Sequence, residues 1–433
     1  MTSYSARRLP VHLGPAAWND ILGLGPAYAP LTKDTTADVV IIGAGFAGLS
    51  SARRLRQLDP NLDVVIIEAG GIAEGAAGRN SGFMIDIPHE LTSEDYAGTG
   101  DDRTLIHLNR QAQEFAARAV ETYGIPSAYF DRAGKINGAV STHANAQNES
   151  LSRHLSSLGE PFERMDAKQM SEITGSNYYR SGLFTPGTVM LQPAGYIRGL
   201  AQGLCREGVR IFANSPALRF DKVGTGWAVK TPKGAVSTAK IILTTNGHLE
   251  SFGFARRRLI QLFLFAVMTP KLCEAQVAAI GGQSRWGVTP SDPMGTTVRR
   301  IDTAQGGNRI ITRTCATLQP GMVPGARQLQ RAKRVMQQKF NARFPALTGM
   351  QMEFGWAGHL CLSRNGVSVA RELDSGVYCG CVQNGLGTAR GTLTGIAAAD
   401  AAMECPSEIR AFFEAQDTPS RLPPQPFQQI GAN

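Results

Sequence analysis

Long hydrophobic runs are missing from this chain. The longest, Leu259 to Met268, is interrupted by Gln261 and is about half of what a bilayer crossing needs. The opening Met1-Thr-Ser-Tyr-Ser-Ala-Arg-Arg has no apolar stretch behind it, so a secretory signal is not expected. Cysteine is scarce, at positions 205, 273, 315, 361, 379, 381 and 405, with no Cys-x-x-Cys pair. Neither a disulfide framework nor a zinc ribbon is expected from it, and a reduced, cytoplasmic protein is the default reading. The histidines (12, 89, 107, 143, 154, 248 and 359) show no His-x₃-His or Glu-x-x-His spacing, which argues against a metal site. There is no Gly-x-Ser-x-Gly elbow and no visible repeat.

What remains is a globular composition: 433 residues, 42% hydrophobic and 18% charged, enough chain for two domains. The 48 glycines exceed the usual share of ~7% and point to tight turns or close backbone approach to a ligand. Residues 1–36, rich in Gly, Pro and Ala, read as an irregular arm. Ala37-Asp-Val-Val-Ile-Ile is a continuous apolar run ending at Gly43, the pattern of a buried parallel strand. A helix over 47–58 and a second strand over 63–68 complete one βαβ unit. Further helices are expected over 105–123, 193–207 and 396–403. Strands are expected near 209–212, 227–231, 236–245, 262–269, 297–301 and 309–314. The proline-rich tail from Pro419 reads as a surface strap.

Within the βαβ unit lies Gly43-Ala-Gly45-Phe46-Ala47-Gly48, followed by Glu68 and Ala69. Gly43 permits the turn off the strand, and Gly45 lets backbone approach a pyrophosphate. Gly48 lets helix and strand pack closely, and Glu68 is placed to accept from ribose hydroxyls. Strand, glycine turn, helix and strand together make this a dinucleotide site rather than a bare glycine turn.

The segment Glu74-Gly-Ala-Ala-Gly78-Arg79-Asn80-Ser81-Gly82-Phe83 resembles the glycine and D-amino-acid oxidase superfamily of flavoproteins, in particular its γ-glutamylputrescine-oxidase-like branch. Three later stretches agree: 191–217, ending at Ala217; Ile241-Ile-Leu-Thr-Thr245-Asn-Gly-His; and Asn384-Gly385-Leu386-Gly387-Thr388 with Gly391-Thr-Leu-Thr-Gly395. Ala77 and Leu386 stand where many members have serine and histidine. The resemblance implies an α/β protein with a discontinuous Rossmann-type FAD domain and an α+β cap carrying a mixed or antiparallel sheet. It places the FAD domain at 36–92, 160–250 and 355–405, and the cap at 93–159 and 251–354. An arm (1–35) and a strap (406–433) flank them. FAD would be held by Gly43, Gly45, Phe46, Ala47, Gly48, Glu68, Ala69, Arg79, Asn80, Ser81, Gly82, Ala217, Thr245, Asn384, Gly385, Leu386, Gly387 and Thr388. Amides of the last loop would stabilise negative charge on the reduced ring.

The same resemblance implies an FAD-dependent oxidase that takes a hydride from a carbon bearing nitrogen and hands the electrons to O2. The imine product is hydrolysed and hydrogen peroxide is released. Cys361 falls near the place where some members attach flavin covalently; noncovalent FAD, with a buried thiol there, is the favoured expectation. His359 is expected to pack beside the substrate rather than act as a base. Arg364 is expected either to fork a substrate carboxylate or to pair with a structural acid. Of Arg299 and Arg300, Arg300 is the candidate for stabilising reduced oxygen, so Arg300 and Arg364 are the candidate catalytic and substrate-binding cations.

The net charge of +9 is concentrated. Residues 251–345 contain fifteen Lys and Arg against Glu274, Asp292 and Asp302, which leaves the rest of the chain slightly acidic. A solvated helix over 327–343 is one explanation; anion attraction into a cleft is the other. On the second, the substrate is a small acidic secondary amine of the iminodiacetate type, an N-substituted glycine. A dehydrogenase using a carrier or quinone, and an oxidase of polyamine derivatives, are the enzyme alternatives. A basic flavoprotein bound to RNA or a membrane surface is the alternative of another class, although no nucleic-acid motif accompanies the charge.

Overall fold

The computed structural model describes residues 2–88, 102–292 and 295–423. Its first sheet has nine strands and is built on a parallel core. Thr35–Ile42 pairs in parallel with Val64–Ile67 on one side and Ala235–Leu243 on the other, and Arg210–Phe212 and Val377–Cys381 extend the parallel set outward. The apolar runs are continuous because both faces are covered: Val39, Val40, Ile41 and Ile42 are all buried. On one face lie the helices Phe46–Leu58 and Ala389–Ala402. The latter starts seven residues before the expected Ile396, since its first turns are also made of small buried residues.

The second sheet has eight strands and is mixed, with Lys135–Ala139 and Trp286–Pro290 forming its parallel pair. The fold is therefore the expected α/β arrangement of a dinucleotide sheet and a separate mixed sheet, but the chain is cut differently. Glu163–Asp166, Ser181–Thr185 and Phe354–Ser363 belong to the mixed sheet, not to the first, correcting the expected boundaries at 160 and 355. Phe354–Ser363 is locked there by ten registered pairs with Leu259–Met268. Conversely, Arg103–Tyr123 lies in the sequence assigned to the cap, yet its face of Leu108, Ala112, Ala116 and Ala119 joins the core of the dinucleotide domain. The expected boundary at 92–93 lies outside the described residues.

The arm is more than irregular. Ser3–Ser5 adds an antiparallel strand to the first sheet through Arg219–Val223, and Ala17–Asp20 is a helical turn. At the other end Glu408–Glu414 is a helix, after which the tail runs strap-like: Ser420 N donates to Asn365 Oδ1 and Leu422 N to Arg257 O. Residues 424–433 of the expected strap are outside the described part. No helix among the described residues is long and apolar enough to cross a membrane, and Leu259–Met268 is an inner strand of the mixed sheet.

Candidate flavin and substrate site

A cavity of about 500 Å³ runs between the two sheets. Its first half is the glycine turn. Gly43 has φ +112°, a conformation that suits glycine, and Gly45 precedes the helix without a side-chain cap. Glu68 ends the neighbouring strand and its carboxylate accepts from Ala44 N (2.7 Å) and Gly70 N (3.2 Å). Burial raises the Glu68 pKa, with those amides opposing the rise. A Cβ added to Gly45 would meet nothing nearer than Ala77 Cβ at 3.6 Å, so the turn has open space in front of it. Gln383 Oε1 and His248 Nε2, both on cavity residues, are buried without a hydrogen-bond partner. An open glycine turn at a helix N-terminus, a carboxylate after the neighbouring strand and unused buried polar atoms on one cavity fit FAD.

Of the expected cofactor residues, Gly43, Gly45, Phe46, Ala47, Glu68 and Ala69 line the first half of this cavity, together with Ala217 and Thr245. Arg79, Asn80, Ser81 and Gly82 line it further along, as do Gly385, Leu386, Gly387 and Thr388. Gly48 does not line it; its missing Cβ would stand 1.9 Å from Gly43 O, so its role is helix–strand packing. Asn384 is also outside. Its side chain accepts from Ser363 N and donates to Gly366 O and Val367 O, closing the turn after Phe354–Ser363.

The Arg79 guanidinium is an internal brace: it donates to Glu74 O, Gly14 O and Ala357 O, tying the flavin-side segment to the arm and the mixed sheet. Arg299 does the same from the opposite side. Fully buried, it donates to Leu191 O (2.6 Å), Ser81 O (3.1 Å) and Gly82 O (3.2 Å), and desolvation pulls its pKa down to about 9. Arg300, the residue expected there, points the other way. Strand alternation puts it opposite Trp286 on the face packed by Phe340 and Phe344, where it donates to Gly281 O. Arg364 sits exposed in the turn after its strand and does not line the cavity. Both expectations for these arginines as substrate or oxygen contacts are therefore corrected.

His359 does reach the cavity. One ring nitrogen is 2.9 Å from Gln261 Oε1, and its ring meets His248 edge-on at 5.1 Å. Burial and the neighbouring imidazoles push its pKa down to about 3 and that of His248 to about 4, so both rings are uncharged at ordinary pH and His359 is a weak proton acceptor. Cys361 is fully buried in the core of the dinucleotide domain and is not a cavity residue.

Sequence reasoning missed the cavity's cap-side cations. Thr297 and Arg313 form a registered pair, both lining the cavity. The guanidinium of Arg313 has no hydrogen-bond or ion-pair partner among the described residues. It retains solvent contact where it faces the cavity, and desolvation lowers its pKa. Lys135, 6% exposed, also lines the cavity. The arm contributes Leu9, Val11 and His12 to the wall. The only sequence signal for Lys135 was period two, which sets Lys135 and Asn137 on one strand face.

The fifteen cations of 251–345 mostly point elsewhere. Arg327, Arg331 and Arg334 are exposed on the Ala326–Arg343 helix, Arg285 is paired with Asp131 and Asp302, and Arg309 with Glu353. Among them Arg313 alone lines the cavity. No cluster of metal-ligating side chains occurs among the described residues.

The chain belongs to the DAO family of FAD dependent oxidoreductases, whose pattern it matches over residues 38–401. It is 24% identical over 402 residues to a probable oxidoreductase OrdL of Haemophilus influenzae, covering 91% of this chain and 89% of that one. It is 25% identical over 360 residues to γ-glutamylputrescine oxidoreductase of Escherichia coli, covering 81% and 80% respectively. Glycine oxidase from Geobacillus kaustophilus superimposes with a TM-score of 0.70 at 16% identity, over 90% of this chain and all of that one. Iminodiacetate oxidase from Chelativorans sp. superimposes with a TM-score of 0.65, also at 16% identity, over 86% and 96%. The protein is thus an FAD-dependent oxidoreductase of this family.

Proposed function

We propose that the protein oxidises the C–N bond of a small amine bearing a carboxylate, an N-substituted glycine with iminodiacetate-type dicarboxylic amines favoured. The observation that carries this reading is Arg313: a cation on the cavity face of the mixed sheet with no partner among the described residues. A guanidinium there holds a carboxylate through two parallel hydrogen bonds and so fixes the direction of the attached carbon. Beside it on the same face, Leu264 and Ala266 of the neighbouring strand line the cavity with apolar surface that limits water. FAD, when bound by the glycine turn, Glu68 and the 385–388 loop without a covalent bond, supplies the two-electron oxidant that O2 regenerates with release of hydrogen peroxide. The substrate carbon loses two electrons and its hydrogen to give an imine, and water splits this into glyoxylate and the free amine. No protein group is needed as base if the amine binds unprotonated, and imidazoles held so far below their ordinary pKa are poor proton acceptors.

The relative from Escherichia coli carries a name that favours polyamine derivatives. Against that stands the sign of the cavity wall: Arg313 and Lys135 outnumber Asp292 on the cap side. The test is anaerobic reduction of the purified flavoprotein. Iminodiacetate and sarcosine should bleach the flavin, and air should restore it rapidly. Faster bleaching by putrescine derivatives would refute the substrate assignment, and slow reoxidation by O2 would make the protein a dehydrogenase.

A further inference from the structure

Two cations of the mixed sheet enter the cavity, and they stand toward opposite ends of one row of residues. Asn137 is registered against Thr289, and Thr297 against Arg313. The ladder of Val288 with Val298 continues by one step to bring Thr289 beside Thr297. Asn137, Thr289, Thr297 and Arg313 therefore cross four adjacent strands on one face, and all of them line the cavity. Three strand spacings separate the ends, about 14 Å between backbones. Lys135 lies two residues before Asn137 on the same face and bends back to it.

Asn137 Oδ1 accepts from both Lys135 Nζ and Thr289 Oγ1, the latter at 2.8 Å. That double acceptance fixes the amide and parks the ammonium at the Asn137 end of the row. An ammonium has three donors, and Asn137 uses one; Lys135 forms no ion pair among the described residues. The acid that acts on it, Asp86, is itself held by Arg110 at 3.0 Å. Burial lowers the Lys135 pKa to about 8, which leaves it largely cationic at neutral pH. A buried ammonium with spare donors on a cavity wall is costly unless something anionic meets it.

We infer that Lys135, steered by Asn137 and Thr289, is a second anion site of the substrate cavity, binding the far carboxylate of a dicarboxylic amine whose glycyl carboxylate rests on Arg313. This rests on the substrate reading above and adds to it the residue that separates diacids from monoacids. Arg313 serves every N-substituted glycine, whereas Lys135 serves only those with a second acid.

The experiment uses the FAD-loaded protein and two unreactive ethers, diglycolate as the diacid and methoxyacetate as the monoacid, with Kd read from the shift of the flavin visible band. Lys135→Met exchanges a buried cation for apolar volume and should fold at least as well as the parent. It should raise the Kd of diglycolate by about tenfold to a hundredfold and leave methoxyacetate within twofold. Arg313→Met should weaken both. If Lys135→Met leaves diglycolate within twofold, or weakens both ethers alike, while Arg313→Met still weakens both, Lys135 is not the second site and the substrate reading stands. If neither ether perturbs the parent flavin and neither iminodiacetate nor sarcosine reduces it, the substrate reading fails and takes this assignment with it.

Discussion

Gly45 and Gly48 are three residues apart in one motif, and the structure assigns them opposite kinds of failure. At Gly45 the backbone is extended (φ −88°), which any residue adopts, and an added Cβ finds ordinary contact at 3.6 Å. Gly45→Val should therefore leave the unliganded fold intact and fill only the space into which the pyrophosphate must come. With free FAD at a hundred times Kd, the cofactor contributes about 2.7 kcal/mol of stability, so a hundredfold loss of affinity removes about 2 kcal/mol of it. At Gly48 the added atom would lie 1.9 Å from Gly43 O and 2.8 Å from Thr244 Oγ1, so Gly48→Ala must push helix from strand at a cost of about 1–3 kcal/mol before any ligand is considered. Thermal unfolding with and without added FAD separates the two. Gly45→Val should match the parent without FAD and keep only a small fraction of the parent's FAD-induced shift, while Gly48→Ala should melt early in both conditions. A yellow Gly45→Val protein with full FAD occupancy would refute the placement of the cofactor.

The remaining expectations concern the cations, the linkage and the histidines. Arg313→Lys keeps charge but loses the fork, so KM for a carboxylate-bearing amine should rise about tenfold or more, whereas Arg364→Ala, exposed and outside the cavity, should leave kcat/KM within twofold. Trichloroacetic acid should release the flavin into the supernatant, because Cys361 is turned into the core; a yellow pellet would contradict this. Charge reversal of the exposed Arg327, Arg331 and Arg334 should abolish salt-sensitive retention on heparin without changing amine-dependent bleaching; loss of both would link that helix to function. His359 and His248, at about 3 and 4 when folded, take up protons in the unfolded chain near pH 6.5, so their contribution to stability is present above that pH and is lost as pH falls toward 4. His359→Gln should flatten this part of the stability profile, and an unchanged profile would show that His359 is not buried neutral.

The dinucleotide half was legible because its determinants are local. A continuous apolar strand, a glycine turn at fixed spacing and a carboxylate at the end of the next strand lie within about thirty residues. Each residue's role there follows from backbone geometry that the immediate sequence dictates. The same locality failed at the edges of the cap. Phe354–Ser363 reads as any amphipathic strand, and nothing within it says which sheet it joins; ten cross-strand pairs with a segment almost a hundred residues earlier decide that. The Arg103–Tyr123 helix was visible by periodicity, but which core its alanine face meets depends on helices far along the chain.

For the substrate side, the sequence by itself determined that cations are abundant between 251 and 345. It could not determine which way they face. Arg299 and Arg300 are neighbours of identical chemistry, and a strand turns successive side chains to opposite faces, so one braces the segment at Ser81 and Gly82 while the other packs under Trp286. Register, set by pairing of Arg309–Leu318 with Thr297–Ile301, placed Arg313 on the cavity face, and a parallel pairing across the chain brought Lys135 into the same wall. Charge content is a property of sequence; the sign of a cavity belongs to register and sheet order, which only the tertiary structure fixes.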